Sequence, residues 1–334
     1  MGLEVEAEVL QVEAARGEAG SCLDFQTKCL KYWSAGNRPL PAILHIAEIN
    51  NRIFIKKLFL RSDMMKFSFD HLVWFFKQPE EAIPTLRKKG IQAFNGGRHE
   101  NWGTYNSLTY FGLSYIEFLG IESLDIAEKQ MDNRLVTQIV EKLAKENQEG
   151  PARIAIRTDC IDELAFKLKG EGFTVYGPFQ GERVRTDGEV IKWSLLFPEN
   201  AANELRMPFF IQWEKSDEKR LSEFKQQGLI NSPINGGPRF ESVGFVVHNL
   251  DQTVATWRKL LECRQSEEFI DPTINARCRK LELDGTKLLF CTPLGEGPAE
   301  KVLIDKGETP FIVNLVETNQ SRFFEMLNGY WSFQ

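Results

Sequence analysis

Phe69-Asp70-His71-Leu72-Val73-Trp74 is the stretch whose reading decides the fold. Phe67, Phe69, His71 and Val73 alternate with Ser68, Asp70, Leu72 and Trp74, the period of a strand with one buried face. The apolar Leu72 and Trp74 imply that the second face is covered as well. A helix follows: Pro79 sits at a helix-entry position, Ala82, Ile83 and Leu86 recur at helical spacing, and Gly90 supplies the stop. Ile91 restarts extended chain, Asn95-Gly96-Gly97 is a turn signal, and Tyr105 to Phe111 followed by Tyr115 to Leu119 reads as a hairpin around Gly112. The order is βαβββ.

The same script then recurs. A helix-like linker carries Leu135, Val136, Ile139, Val140 and Leu143 on one stripe and ends at Gly150-Pro151. Arg153 to Arg157 reads as a strand, Asp159 as an N-cap, and Ile161, Leu164, Ala165 and Leu168 as one helix face. Asp187-Gly188 is a hairpin turn between Glu182–Arg185 and Val190–Phe197, and Pro208 to Trp213 is the closing strand. A third unit is weaker: a strand over Val243–Val247, a helix capped by Asp251 that carries Val254, Trp257, Leu260 and Leu261, and strands joined at Asp284-Gly285. A last strand, Phe311 to Val316, is expected to precede a short helix through Phe324 and Leu327. Repeated units of this kind bury a shared surface that no single copy can cover. The expected organisation is an N-terminal extension with little fixed structure (1–64), a first module (65–122), a helical linker (123–150), a second module (151–215), a helix and linker (216–238) and a third, partial module (239–334). Because the pattern begins abruptly after Met64, Met65 is the expected natural start.

Composition excludes several classes. The net charge of −6 over 334 residues, with no basic aromatic patch, disfavours a nucleic-acid partner. No apolar run approaches the ~20 residues that a membrane helix needs, and the first residues lack the pattern of a secretory signal. Six cysteines, Cys22, Cys29, Cys160, Cys263, Cys278 and Cys291, are scattered without a CxxC pair, which suits reduced thiols and a cytoplasmic protein.

Phe69-Asp70-His71-Leu72-Val73 with Tyr115-Ile116-Glu117, the Gly96-Gly97-Arg98-His99 turn, Trp102-Gly103-Thr104 with Asn106, and Pro208 to Trp213 together resemble the glyoxalase-like branch of the vicinal-oxygen-chelate superfamily. The resemblance is close over Lys66 to Trp213 and holds in outline beyond. It implies an α+β fold in which paired βαβββ modules curl into a cup-shaped mixed sheet. It also implies inward-facing strand residues that hold a divalent metal and a small substrate offering two oxygens. Carried over by position, the metal ligands are His71 and Glu117 from the first module and Gln212 from the second. The second module offers Arg153 or Ile154 where its first-strand ligand would stand. That set suits a transition metal, with open positions for water or substrate. His71 could equally be a strand histidine hydrogen-bonded within a core, with Glu117 its partner.

Arg98, His99, Trp102, Thr104 and Asn106 cluster within a predicted loop and strand, and Arg183, Arg185 and Trp193 occupy the corresponding hairpin of the second module. Guanidinium pairs fit carboxylate or phosphate, so an anionic small molecule is expected. The Asn95-Gly96-Gly97 and Asn235-Gly236-Gly237 turns lack a phosphate-loop pattern, and Cys160 lacks a neighbouring histidine in sequence. Two functions follow. One is a metal-dependent isomerase, lyase or dioxygenase with Glu117 or His99 as the base. The other is a protein that binds a small molecule without turning it over, as the superfamily's antibiotic-sequestering members do. Two modules can close a cup within one chain, so a monomer or a homodimer is expected.

Overall fold

The computed structural model describes residues 65–184, 188–200, 204–230, 238–316 and 321–334. The expected extension 1–64, Arg185 and the Asn235-Gly236-Gly237 turn lie outside the described residues. The first module runs β1 (Ser68–Phe75), α1 (Ala82–Arg87), β2 (Phe94–His99), β3 (Thr104–Phe111) and β4 (Ser114–Ile121). A linker with α2 (Leu124–Ala127) and α3 (Arg134–Ile139) leads to β5 (Gly150–Arg157), α4 (Ile161–Gly170), β6 (Thr174–Val184), β7 (Val190–Glu199) and β8 (Phe209–Trp213). Helix α5 (Asp217–Gln226) precedes β9 (Arg239–Val246), α6 (Leu250–Leu261), β10 (Arg264–Gln265), β11 (Phe269–Asp271), β12 (Ala276–Leu283) and β13 (Thr286–Pro293). Helix α7 (Pro298–Lys306), β14 (Thr309–Val316), β15 (Arg322–Met326) and β16 (Gly329–Phe333) complete the chain.

The fold is α+β, built from tandem βαβββ modules that form two mixed sheets. The first has eight strands in the order β2-β3-β4-β1-β5-β8-β7-β6, so each module contributes one half and the halves meet where β1 and β5 pair antiparallel. The second repeats the plan as β10-β12-β13-β9-β14-β16-β15, with β11 beside β12. The expected helix through Phe324 and Leu327 is instead the β15–β16 hairpin. Its turn places Leu327 and Asn328 at φ of 56° and 62°, the left-handed pair that a two-residue hairpin requires. The N-caps also differ from expectation. Asn249, rather than Asp251, caps α6 through Gln252 N–H at 3.1 Å, and Cys160, rather than Asp159, precedes α4.

Packing follows from alternation. Val73, Phe75, Leu119, Ala155, Trp193, Leu195, Phe197, Phe209 and Ile211 turn into the first sheet's concave face. The linker's apolar stripe, Leu135, Val136, Ile139, Val140 and Leu143, fills the base of that cup. Burying each such side chain contributes roughly 1.5–3 kcal/mol. On the opposite face, Trp74 stacks on Trp331 of the second sheet with ring centroids 5.4 Å apart, and its indole N–H donates to Leu327 O at 2.7 Å.

Gly329 permits that stack: a Cβ there would lie 2.6 Å from the Trp74 ring and 3.0 Å from Pro151. Trp74 is fully buried and tied by its hydrogen bond, so it cannot yield. Gly329→Ala is expected to destabilise the protein by about 1–3 kcal/mol, read as a lower urea midpoint with an unchanged m-value.

Candidate functional site

The site begins with a bulge. In the β1–β5 ladder Phe69 pairs with Ile156 and His71 with Ala155, which leaves Asp70 as the extra residue. A bulge re-aims side chains, and here Asp70 and His71 meet, Asp70 Oδ1 lying 2.8 Å from His71 Nδ1. The other Asp70 oxygen accepts from Arg157 Nη1 at 3.0 Å and from the Trp213 indole at 2.9 Å, with Arg220 Nη1 at 3.5 Å. Burial alone would raise the Asp70 carboxyl, but Arg220, the His71 hydrogen bond and Arg157 hold it well below the usual carboxylate range. Asp70 is therefore an ionised, acceptor-only anchor for the imidazole.

His71 Nε2 points away from this anchor toward Glu117 Oε2, 3.5 Å off, while the ring stacks on Tyr115. Glu117 Oε1 accepts from the Asn106 amide, whose oxygen takes Gly97 N–H at 2.9 Å. That contact sits at an irregularity in the β2–β3 ladder, so Asn95-Gly96-Gly97, expected as a turn, lies within β2. Gly96 has to lack a side chain, because a Cβ would fall 1.9 Å from Asn106 Oδ1.

These groups border a cavity of about 200 Å³. The first module lines it with the polar His71, His99, Thr104, Asn106, Tyr110, Tyr115 and Glu117 and with Phe94, Trp102, Leu108 and Leu119. The second module turns Ile191, Trp193, Leu195, Phe209, Ile211 and Trp213 toward it, with Arg183 and Lys192 as its charged members. Trp102 meets Trp193 at 6.0 Å, and Trp193 meets Trp213 at 5.5 Å. Helix α5 covers the mouth, contributing Arg220, Glu223 and Phe224. Arg220 lies 4.1 Å over Trp213 and is 4% exposed, which marks it as part of the wall rather than a solvent-facing charge.

Of the residues expected at a site, His71, His99, Trp102, Thr104, Asn106, Glu117, Arg183 and Trp193 border this one cavity. Arg98 does not: it is largely exposed and pairs with Glu122 at 2.6 Å. Gln212 is also misplaced by the sequence expectation. The β1–β5 ladder is symmetric about the Leu72–Ile154 pair, with Asp70 answered by Ala152, so the second-module counterpart of His71 is Arg153; Val73 pairs with Glu117 as its counterpart Ala155 pairs with Phe209, so that of Glu117 is Phe209. Strand residues an odd number of positions apart lie on opposite faces. Gln212 accordingly points outward, where its Oε1 accepts from Ile161 N–H at 2.8 Å and caps α4. Arg153 is buried behind Phe197 and Phe209, its Nε donating to Met207 O at 2.7 Å, and burial lowers its pKa to about 9. Asp70, Arg157, Tyr110, Trp213 and Arg220 were not expected at the site. The bulge and the long-range pairings that bring most of them together have no local sequence signal.

The donor set does not fit a resident divalent metal. His71 Nε2 and Glu117 Oε2 face each other, but Arg153 and Phe209 stand where a second pair would be, and Gln212 faces away. Among the described residues no group of three or more His, Cys, Asp or Glu is placed to share an ion. Catalytic zinc keeps about three protein ligands, and harder cations take about six oxygens.

The chain belongs to the glyoxalase-like domain family, whose model matches residues 69–261, more than half of the chain. Among solved structures it is similar to a hypothetical protein from Staphylococcus aureus, 25% identical, with a TM-score of 0.66 over 80% of this chain and 99% of that one. A mutant 4-hydroxymandelate synthase from Streptomyces coelicolor aligns at 10% identity and a TM-score of 0.49 over 77% of this chain and 72% of that one. Methylmalonyl-CoA epimerase from Streptomyces coelicolor aligns at 18% identity and a TM-score of 0.35 over 45% of this chain and 99% of that one. No curated protein matches the chain.

Two titrations follow from the geometry. Burial, with Arg183 adding and Glu117 opposing, lowers the His99 pKa to about 4. Below its unfolded pKa of about 6.5 the unfolded chain takes up a proton that the fold resists, so stability is full above that value and falls as pH drops toward 4. His99→Gln is expected to remove roughly 3 kcal/mol of this dependence between those limits, measured by urea unfolding at stepped pH.

Asp70 behaves differently, because its ionised form is the one stabilised. Its contribution is present above the unfolded value of about 4 and is lost as pH falls toward its depressed folded pKa. Asp70→Asn leaves Arg157 and Arg220 without their buried partner and is expected to cost about 3–5 kcal/mol at pH 7. The gap from the unaltered protein should narrow in acid, which calorimetry would reveal.

Proposed function

We propose that the cup of the first sheet binds a small amphipathic organic molecule. The observation that carries this reading is the mixed lining: the polar cluster of His71, Asn106, Tyr110 and Glu117 is set in a cavity whose remaining surface is largely aromatic and aliphatic, with Arg183 and Lys192 as charged members of the second module. A molecule with a polar end and an apolar body satisfies both kinds of surface, whereas water satisfies one. One chain supplies both, so a monomer suffices and a homodimer would add nothing to the site. The described cysteines Cys160, Cys263, Cys278 and Cys291 are free thiols, which supports a cytoplasmic location. Among the described residues no helix is long and apolar enough to cross a membrane.

The alternative, a metal-dependent isomerase, lyase or dioxygenase, has one observation in its favour: 3.5 Å between His71 Nε2 and Glu117 Oε2 suits two ligands of a single ion. It lacks a third donor, and the second module gives it none. Elemental analysis of protein purified without chelator and equilibrated with zinc or manganese tests the choice. Far less than one equivalent of metal is expected after desalting, equally in the unaltered protein, His71→Ala and Glu117→Ala. One equivalent that disappears in both variants would establish the metal enzyme instead.

A further inference from the structure

We infer that the molecule held in the cup is a single-ring aromatic compound that presents an N–H or O–H donor to Glu117 and His71; the inference rests on the proposed reading of the cup as a binding site. It starts from the imidazole. Asp70 is an acceptor and takes an N–H from Nδ1, so Nε2 is the ring nitrogen that faces the cavity. Glu117 Oε1 is committed to Asn106, so Oε2 is the carboxylate atom turned to Nε2, and at 3.5 Å the two are farther apart than the about 2.7–2.9 Å of a charge-assisted bond. One hydroxyl or amine of a bound molecule placed beside the pair gives that carboxylate oxygen a close donor.

The rest of the cavity fixes the body of that molecule. Trp102, Trp193 and Trp213 form a continuous aromatic wall, and Phe209 and Ile211 carry it toward the base. A void of about 150 Å³ accepts benzene, so about 200 Å³ takes one ring with one polar substituent. The place of that substituent follows from the charges around the cavity. Arg220 is engaged by Asp70 and Asp217, and Lys215 by Glu189 and Glu223. Arg183, which bonds the Tyr110 hydroxyl, and Lys192 also line the cavity, so the donor is placed by Glu117 rather than by a lack of cations. A carboxylate entering the cup would meet Glu117 in a poorly hydrated space, whereas a hydroxyl or ammonium is drawn to it. The anionic molecule expected from the sequence is the competing reading, which Arg183 and Lys192 in the lining support and which benzoate probes.

Four probes of one ring test this: phenol, benzylamine, toluene and benzoate, each titrated into isotope-labelled protein while the indole N–H resonances of Trp102, Trp193 and Trp213 are followed by NMR. Fragments of this size bind in roughly the millimolar range. Phenol and benzylamine are expected to bind at least about 10-fold more tightly than toluene, the worth of a hydrogen bond to a charged group, and benzoate more weakly. Glu117→Gln should erase that advantage and leave toluene unchanged. Donors that bind no better than toluene, or benzoate as the tightest probe, would overturn the inference while leaving the cup a binding site. No saturable shift with any of the four would remove the binding-site reading itself. The ranking in the unaltered protein needs no variant, so it decides the matter even if Glu117→Gln fails to fold.

Discussion

A single buried charge, the Asp70 carboxylate, organises the functional half of this protein. Removing a carboxylate from water costs several kcal/mol, and the loss is offset when strong partners meet it in good geometry. Asp70 has four: His71 from β1, Arg157 from β5, Trp213 from β8 and Arg220 from α5. Each partner comes from a different part of the chain. The charge can therefore be buried only when the two modules are paired and α5 lies across the mouth. Arg157 also holds Asp217 at the start of α5 at 2.9 Å, which ties the covering helix to the same network. The imidazole orientation, the Trp213 wall and the closed mouth are consequences of one neutralisation.

The pairing of modules explains why the site is asymmetric. An antiparallel β1–β5 seam relates the two halves by an approximate two-fold, so each cavity position has a counterpart across it. The backbone obeys that relation and the side chains do not: His71 is answered by Arg153, and Glu117 by Phe209. A metal held by both halves needs donors on both. A molecule that sets one polar end at Glu117 and His71 needs donors or acceptors from one half alone, chemical difference on a common frame. Fold alone does not choose between these outcomes, because one scaffold accommodates many chemistries.

The sequence made the module order legible because each βαβββ unit is written in local signals: alternation, a helical stripe, glycine stops and Asp-Gly turns. It failed where the backbone departs from regularity. Strict alternation puts Asp70 on the face opposite His71, and the bulge brings both to one site. Counting from the end of β8 selects Gln212, while the register selects Phe209, and no pattern within five residues separates them. The β15–β16 hairpin was missed although Asn328-Gly329 is a turn dipeptide. Leu327 takes the first left-handed position there, an uncommon place for a branched side chain, and the apolar run before it imitates a helix face. Arg220 carried no signal at all, since an arginine in an amphipathic helix reads as solvated until its buried partner is known.

The second sheet shows what the same architecture does without such a charge. Its concave face is occupied by the chain itself: Ala299, Val302 and Leu303 of α7 pack against Val246, Ala276, Cys278, Phe311 and Tyr330. Cys278 and Cys291 meet there as buried thiols, and desolvation raises Cys291 well above its ordinary pKa, which leaves it a small apolar filler rather than a nucleophile. In the first sheet the corresponding linker helix fills the base of the cup with Leu135 and Val136, and the upper part stays open. A cup lined wholly by apolar groups would gain from being filled in the same way. The upper part of the first is edged by Glu117, His71 and Tyr110, whose polar atoms a helix stripe would strand without partners. The groups that make this cavity a site are also what keeps the protein from packing it shut.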